Sequence, residues 1–182
     1  ETIRDITDRK RAEEEIDRSR RSLADIISFL PDATFAINLE GVVITWNREM
    51  EKLSGIPAQS MLGKGDLEYS LPFYSSKRPM LANLILMPKA ELESFYTHVK
   101  REGDTLVVDT FIPNLQGKGG RYFWAKASPL YDSKGNVIGA IETIRDITER
   151  REMEGRLARS NAELQIAADI QKSFLPETIP PI

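Results

Sequence analysis

The 182 residues are 41% hydrophobic and carry a formal net charge of −3, which suits one ordinary core and supplies no basic field for nucleic acid. The absence of cysteine excludes disulfides, thiol catalysis, cysteine zinc sites and cysteinyl-flavin chemistry. The longest apolar stretch, residues 80–87, is broken by Asn83 and is far short of the roughly 20 residues that span a bilayer, so a soluble, cytoplasmic fragment without membrane contact is expected.

The first 30 residues are helical in pattern. Ala12, Ile16, Ser19, Leu23, Ile26 and Leu30 alternate at spacings of four and three, the rhythm of a coiled-coil seam. Arg, Lys, Glu and Asp fill the intervening positions, as on the wet faces of such a helix. Pro31 stops it by disfavouring helical backbone at the residue before. The period then changes. Residues 34–39 and 42–46 are β-branched and aromatic runs separated by Glu40-Gly41, a hairpin signal. Residues 47–53 read as a short helix ended by Gly55.

Residues 57–87 are punctuated by proline and glycine, with Pro79 opening a helix over 80–87. A further amphipathic helix is expected over 90–101, closed by Gly103. Three strands follow, over 105–112, 121–131 and 136–147. Gln116-Gly-Lys-Gly-Gly120 and Asp132-Ser-Lys-Gly-Asn136 supply the turns between them. The sum is an α+β domain: a five-stranded antiparallel sheet with helices on one face.

One phrase occurs twice. Glu1-Thr-Ile-Arg-Asp-Ile-Thr-Asp-Arg-Lys10 returns as Glu142-Thr-Ile-Arg-Asp-Ile-Thr-Glu-Arg-Arg151, identical at eight of ten positions and shifted by 141 residues. Each copy leads from a β-branched stretch into a charged, helix-rich tract, so the repeat implies a modular chain. Asp146 with Glu149 fits a capping box at the start of the second long helix, and Thr148 is an alternative cap. Met153, Leu157, Ser160 and Leu164 keep the heptad phase of Ala12, Ile16, Ser19 and Leu23. Ser and Ala at several seam positions bury little area and make the seam weak.

Residues 31–148 resemble a PAS domain. The resemblance is carried by Leu30-Pro-Asp-Ala-Thr-Phe-Ala-Ile-Asn38, Gly41-Val-Val-Ile-Thr-Trp-Asn47, Arg121-Tyr-Phe-Trp-Ala-Lys-Ala-Ser-Pro-Leu-Tyr-Asp132, Gly135-Asn-Val-Ile-Gly139 and Asp146-Ile-Thr148. It implies a PAS-like sheet flanked by N- and C-terminal coiled-coil-type helices. It also implies a sensory module that binds a small ligand or dimerises and passes a change to those helices, without catalysis. Residues 66–90 form a longer helical segment than a minimal PAS pattern has.

Residues 161–176 resemble the helix that precedes the catalytic domain in bacterial PPM-type serine/threonine phosphatases acting on regulators of sigma factors. The expected organisation is therefore the tail of a preceding PAS module (1–8), a signalling helix (9–30), the PAS domain (31–148), a second signalling helix (149–175) and the start of an effector region (176–182). The resemblance points to a prokaryotic source and to a downstream effector domain in the same parent chain, a phosphatase. Two alternatives stand beside it: a ligand-free dimerisation or spacer module, and the sensory part of a histidine kinase.

The candidate pocket wall comprises Phe35, Ile37, Ile44, Trp46, Met61, Phe73, Tyr74, Arg78, Leu84, Phe111, Phe123, Ala125 and Ile141, residue types that an ordinary packed core also requires. Strand alternation puts Phe123, Ala125 and Ala127 on one face, and Tyr122, Trp124 and Lys126 on the other. Lys77 and Arg78 beside Pro79 could aim positive charge at an anionic ligand, or simply be solvated. Signal relay is expected through Asp146, Thr148 and Glu149, and parallel homodimerisation through Ile16, Leu23, Leu157 and Leu164. His98, the only histidine, sits in a polar setting near the end of its expected helix. It reads as a solvated side chain rather than a haem ligand or a phosphoacceptor. The sequence names no cofactor.

Overall fold

The structure, a computed structural model, describes residues 3–87, 95–96, 99–115, 117 and 119–174. The elements run α1 (Ile3–Ser28), β1 (Ala33–Asn38), β2 (Val43–Trp46), α2 (Arg48–Ser54), α3 (Ala58–Met61), a 3-10 turn (Glu68–Ser70), α4 (Leu71–Tyr74) and α5 (Leu81–Leu86). They continue with β3 (Lys100–Glu102), β4 (Thr105–Ile112), β5 (Arg121–Tyr131), β6 (Val137–Asp146) and α6 (Thr148–Phe174). Two compact units result, residues 1–145 and 146–182.

The sheet is antiparallel at each of its registered pairings, with strand order β2-β1-β6-β5-β4-β3. Among the described residues it has six strands rather than five. The extra one, β3, lies where the end of a helix over 90–101 was expected; residues 90–94, 97 and 98, His98 among them, lie outside the described residues. Lys100 pairs with Val107 and Glu102 with Thr105. Gly103, read from sequence as a helix stop, is the hairpin turn, with φ +61. A glycine at positive φ serves either purpose, so the residue marks the turn without saying what precedes it.

Local chemistry accounts for the other short elements. The β1–β2 turn uses Gly41 at φ +75, with the Asn38 side chain accepting from the Val42 N–H at 2.8 Å. Asn47 caps α2 by accepting from the Met50 N–H, and Gly55 closes it in the left-handed conformation. The glycine loop between β4 and β5 is a turn, Leu115 N–H donating to the Gly119 carbonyl at 3.2 Å.

One face of the sheet carries the core. Phe35, Ile37, Leu106, Val108, Phe123, Ala125, Ala127, Ala140 and Ile144 are buried from the strands, and Met50, Met61, Tyr69, Phe73, Leu81 and Leu84 from the short helices. The opposite face is partly wet. There Phe111 and Tyr122 pack at 4.7 Å, and Arg145 lies over Trp124 at 5.6 Å. Arg145 also donates twice to the Asp32 carboxylate, at 2.8 and 2.6 Å.

Candidate functional site

Alternation along β6 turns Ala140, Glu142 and Ile144 toward the core. Two are apolar; the middle one is a carboxylic acid, 1% exposed. Glu142 stands opposite Phe35 of β1 in the sheet register. Its Oε2 accepts from the Ala82 N–H at 2.8 Å, and the Leu81 N–H donates to the same carboxyl. It therefore satisfies orphan backbone donors in the first turn of α5 from a strand 60 residues further along the chain.

Burial decides its protonation. Desolvation disfavours the charged form and pushes the Glu142 carboxyl from its ordinary 4.5 up to about 8, against the opposing pull of the two N–H donors. Among the described residues Glu142 makes no ion pair. At neutral pH it is a neutral acid inside the core.

Polar side chains gather around it. The Asn83 side-chain amide donates to the Tyr69 hydroxyl at 2.6 Å, and its Oδ1 accepts from the Met80 N–H at 3.0 Å. Burial pushes the Tyr69 hydroxyl up to about 12, with the Asn83 bond lowering it and the nearby Glu142 raising it. The Tyr74 and Tyr96 hydroxyls share a hydrogen bond at 3.0 Å. Both are raised, chiefly by desolvation, and both feel the Glu142 carboxyl. The Arg78 guanidinium sits 4.3 Å from the Tyr74 ring centroid and 5.0 Å from that of Tyr96, a cation–π arrangement. Its Nη2 donates to the Phe95 carbonyl at 2.5 Å, while its buried Nε has no hydrogen-bond partner among the described residues.

Of the residues expected on the pocket wall, Phe35, Ile37, Trp46, Met61, Phe73, Leu84, Phe123 and Ala125 are buried in this core, and Tyr74 and Arg78 belong to the polar cluster. Three lie elsewhere. Ile44 and Phe111 are each 49% exposed, and Ile141 is half-buried on the outer face. Parity is the reason: Leu106, Val108 and Ile112 fix the inward register of β4, which sends Phe111 out. In β6 the same rule turns Ile141 outward because Glu142 points in.

Sequence reasoning missed Glu142, Tyr69, Asn83 and Tyr96. Only Glu142 left a usable trace: a glutamate in phase with Ala140 and Ile144, and the first letter of the repeated phrase.

In the second unit, Asp146 Oδ1 accepts from the Thr148 N–H at 2.9 Å, at the first residue of α6, and Glu149 follows in the first turn. Ile16, Leu23, Leu157 and Leu164 are all exposed. Leu23 also borders a groove of about 400 Å3 between α1 and β2, lined by Ile27, Ile44, Trp46 and Leu62. Among the described residues no group of acidic or histidine side chains could hold a metal ion, and no helix is long and apolar enough to cross a membrane.

Residues 28–152, which contain this sheet and its short helices, match a family model described as the PAS fold. The chain belongs to the PAS-fold family. Residues 28–152 are accordingly a sensory, signalling type of module. The PAS domain of BvgS from Bordetella pertussis is similar at a TM-score of 0.51 and 22% identity, covering 81% of this chain and 98% of that one. An RNA-binding light-oxygen-voltage receptor is similar at 0.53 and 15%, covering 82% and 38%. The Vibrio cholerae VqmA dimer is similar at 0.50 and 19%, covering 73% and 55%. Identities this low support the fold alone. No curated protein matches the sequence.

Proposed function

We propose that this PAS module senses a small molecule in the core between the sheet and its short helices. It relays occupancy through β6 into α6, within a parallel homodimer. The observation that carries the reading is Glu142: a polar group inside the core, on the strand that leads through Ile147 into α6, bonded to α5 on the far wall. A change of contents that moves α5 or the tyrosine cluster acts on that strand directly. The Arg78 Nε, buried without a partner among the described residues, favours a ligand that offers an acceptor oxygen or nitrogen.

Pairing of the flanking helices is supported by the exposed Ile16, Leu23, Leu157 and Leu164 and their shared heptad phase. The downstream effector is a phosphatase of the PPM type, on the resemblance of residues 161–176. Ligand control requires that the molecule bind the two helix states with different affinities.

Native mass spectrometry of the purified chain, set against its denatured mass, tests both parts. A dimer with retained extra mass supports the sensor. A dimer whose mass and melting temperature never respond to metabolite pools identifies a spacer, and a monomer removes transmission by paired helices.

A further inference from the structure

Sensory cores filled by apolar side chains leave nothing to titrate; this one contains a carboxyl. We propose that Glu142 is a proton-operated latch, joining β6 to the first turn of α5 when protonated and releasing that contact when it ionises. The inference deepens the relay just described and rests on that reading of β6 as the output path.

The geometry supplies both halves of the device. With its proton on, the carboxyl is a neutral acceptor for the Ala82 N–H at 2.8 Å, in a site where a neutral hydrogen-bonded group is tolerated. When the O–H bond breaks and the proton passes to solvent water, a full charge is left in the core. No cation among the described residues is paired with it.

The groups around it offer little compensation. From β1 comes Phe35, and the core-facing positions of β5 are Phe123, Ala125 and Ala127. From α5 come the Ala82 and Leu81 N–H groups, which favour the charged form, and the Asn83 amide, already committed to Tyr69 and Met80. Tyr69, Tyr74 and Tyr96 stay protonated, held up by burial and by Glu142 itself. Among the described residues Arg78 is the cation at the cluster, held between the Tyr74 and Tyr96 rings with Nη2 on Phe95. The Ala82 and Leu81 N–H groups hold the carboxylate more tightly than the neutral acid. An unpaired buried carboxylate is nevertheless costly, and where that cost prevails ionisation opens the β6–α5 contact and lets the carboxylate reach water. Asp146, four residues on, holds the first N–H of α6, so a strand that slides carries that anchor with it.

Burial, which raises the Glu142 carboxyl to about 8, agrees with this geometry. The test is a carbon-13 titration of the glutamate side-chain carboxyls in the intact chain, with amide hydrogen exchange over the same range, corrected for intrinsic rates. The Glu142 carboxyl should titrate well above the other glutamates. Protection of the Ala82 amide and of the α6 first turn should fall about tenfold or more across that step. Glu142→Gln should abolish the step while keeping an acceptor for Ala82. A Glu142 carboxyl that titrates in acid with the rest overturns the latch, as does an unchanged exchange profile in Glu142→Gln. Should the variant not fold, the carbon-13 titration of the unmodified chain decides alone. A titrating carboxyl that loosens Ala82 but leaves the α6 first turn unmoved keeps the latch and overturns the relay.

Discussion

A buried acid that stays neutral to about pH 8 makes the domain lose stability as the solution becomes more alkaline. In the unfolded chain Glu142 ionises near 4.5, and in the folded chain near 8. Between those values the folded state holds a proton that the unfolded state has released, so raising the pH favours unfolding. The contribution is fully present below about pH 4.5 and is lost as pH rises through the folded value. At about 1.4 kcal/mol per pH unit the interval amounts to as much as about 5 kcal/mol, a third or more of the total stability of an ordinary domain. At about 2–4 °C per kcal/mol for a chain of this size, the melting temperature should fall by roughly 10–20 °C from weakly acid to alkaline solution. Urea unfolding followed by the fluorescence of Trp46 and Trp124 at a series of pH values gives the profile. Glu142→Gln should flatten it. The variant's extra N–H donors lack partners, which costs about 1–3 kcal/mol, so it should be the less stable protein in weak acid and the more stable one above about pH 8. A wild-type profile that is flat through neutrality, or parallel curves for the two proteins, would refute the assignment of a neutral buried acid.

Other substitutions address the frame around that acid. Asn47→Ala should cost about 2–4 kcal/mol: the Asn47 Oδ1 accepts from both the Thr34 and Met50 N–H groups, and its Nδ2 donates to the Asp32 carbonyl. Denaturant midpoints would show it, and a loss within error of zero would mean water replaces the amide. Gly139→Ala should be at least as damaging, because a Cβ there meets the Ile37 carbonyl oxygen at 2.2 Å, and backbone in a paired strand cannot yield as a side chain does. Leu157→Ala with Leu164→Ala should weaken self-association by removing two exposed apolar side chains from the proposed seam. Sedimentation equilibrium with an unchanged dissociation constant would take both out of it.

Much of the fold was legible because its punctuation is local. Gly41, Gly55, the Asn47 cap on the Met50 N–H and the Asp132–Asn136 turn act within a few residues of themselves, so the sequence carries their geometry openly. Gly103 shows the limit: its positive φ was foreseeable, but whether a helix or a strand precedes it depends on pairing with β4, which no local pattern states. The candidate wall was legible by apolarity wherever apolarity and strand parity agree, as at Phe123 and Ala125. It fails at Ile141 because hydrophobicity alone places that residue in the core whereas strand parity turns it outward, and the same parity turns Glu142 inward. Tyr69, Asn83 and Tyr96 were out of reach: their partners come from separate short elements, and only the assembled core brings them to Glu142.

The repeated phrase now has a physical content. In its second copy Glu142 points into the core and takes the Ala82 N–H. Arg145, three residues on and therefore on the other face of the strand, clamps the Asp32 carboxylate just before β1. Asp146 then accepts from the first N–H of α6. A few consecutive residues thus fasten the core, the outer sheet face and the helix start. In the first copy, residues from Ile3 onward are helical, although Ile3 to Thr7 are the same residues as Ile144 to Thr148. The words do not choose strand or helix; the neighbours do. β6 lies between β1 and β5, which fixes its register and turns its glutamate inward. A phrase whose conformation depends on that pairing thus carries three separate fastenings within five residues, and α6 begins within it.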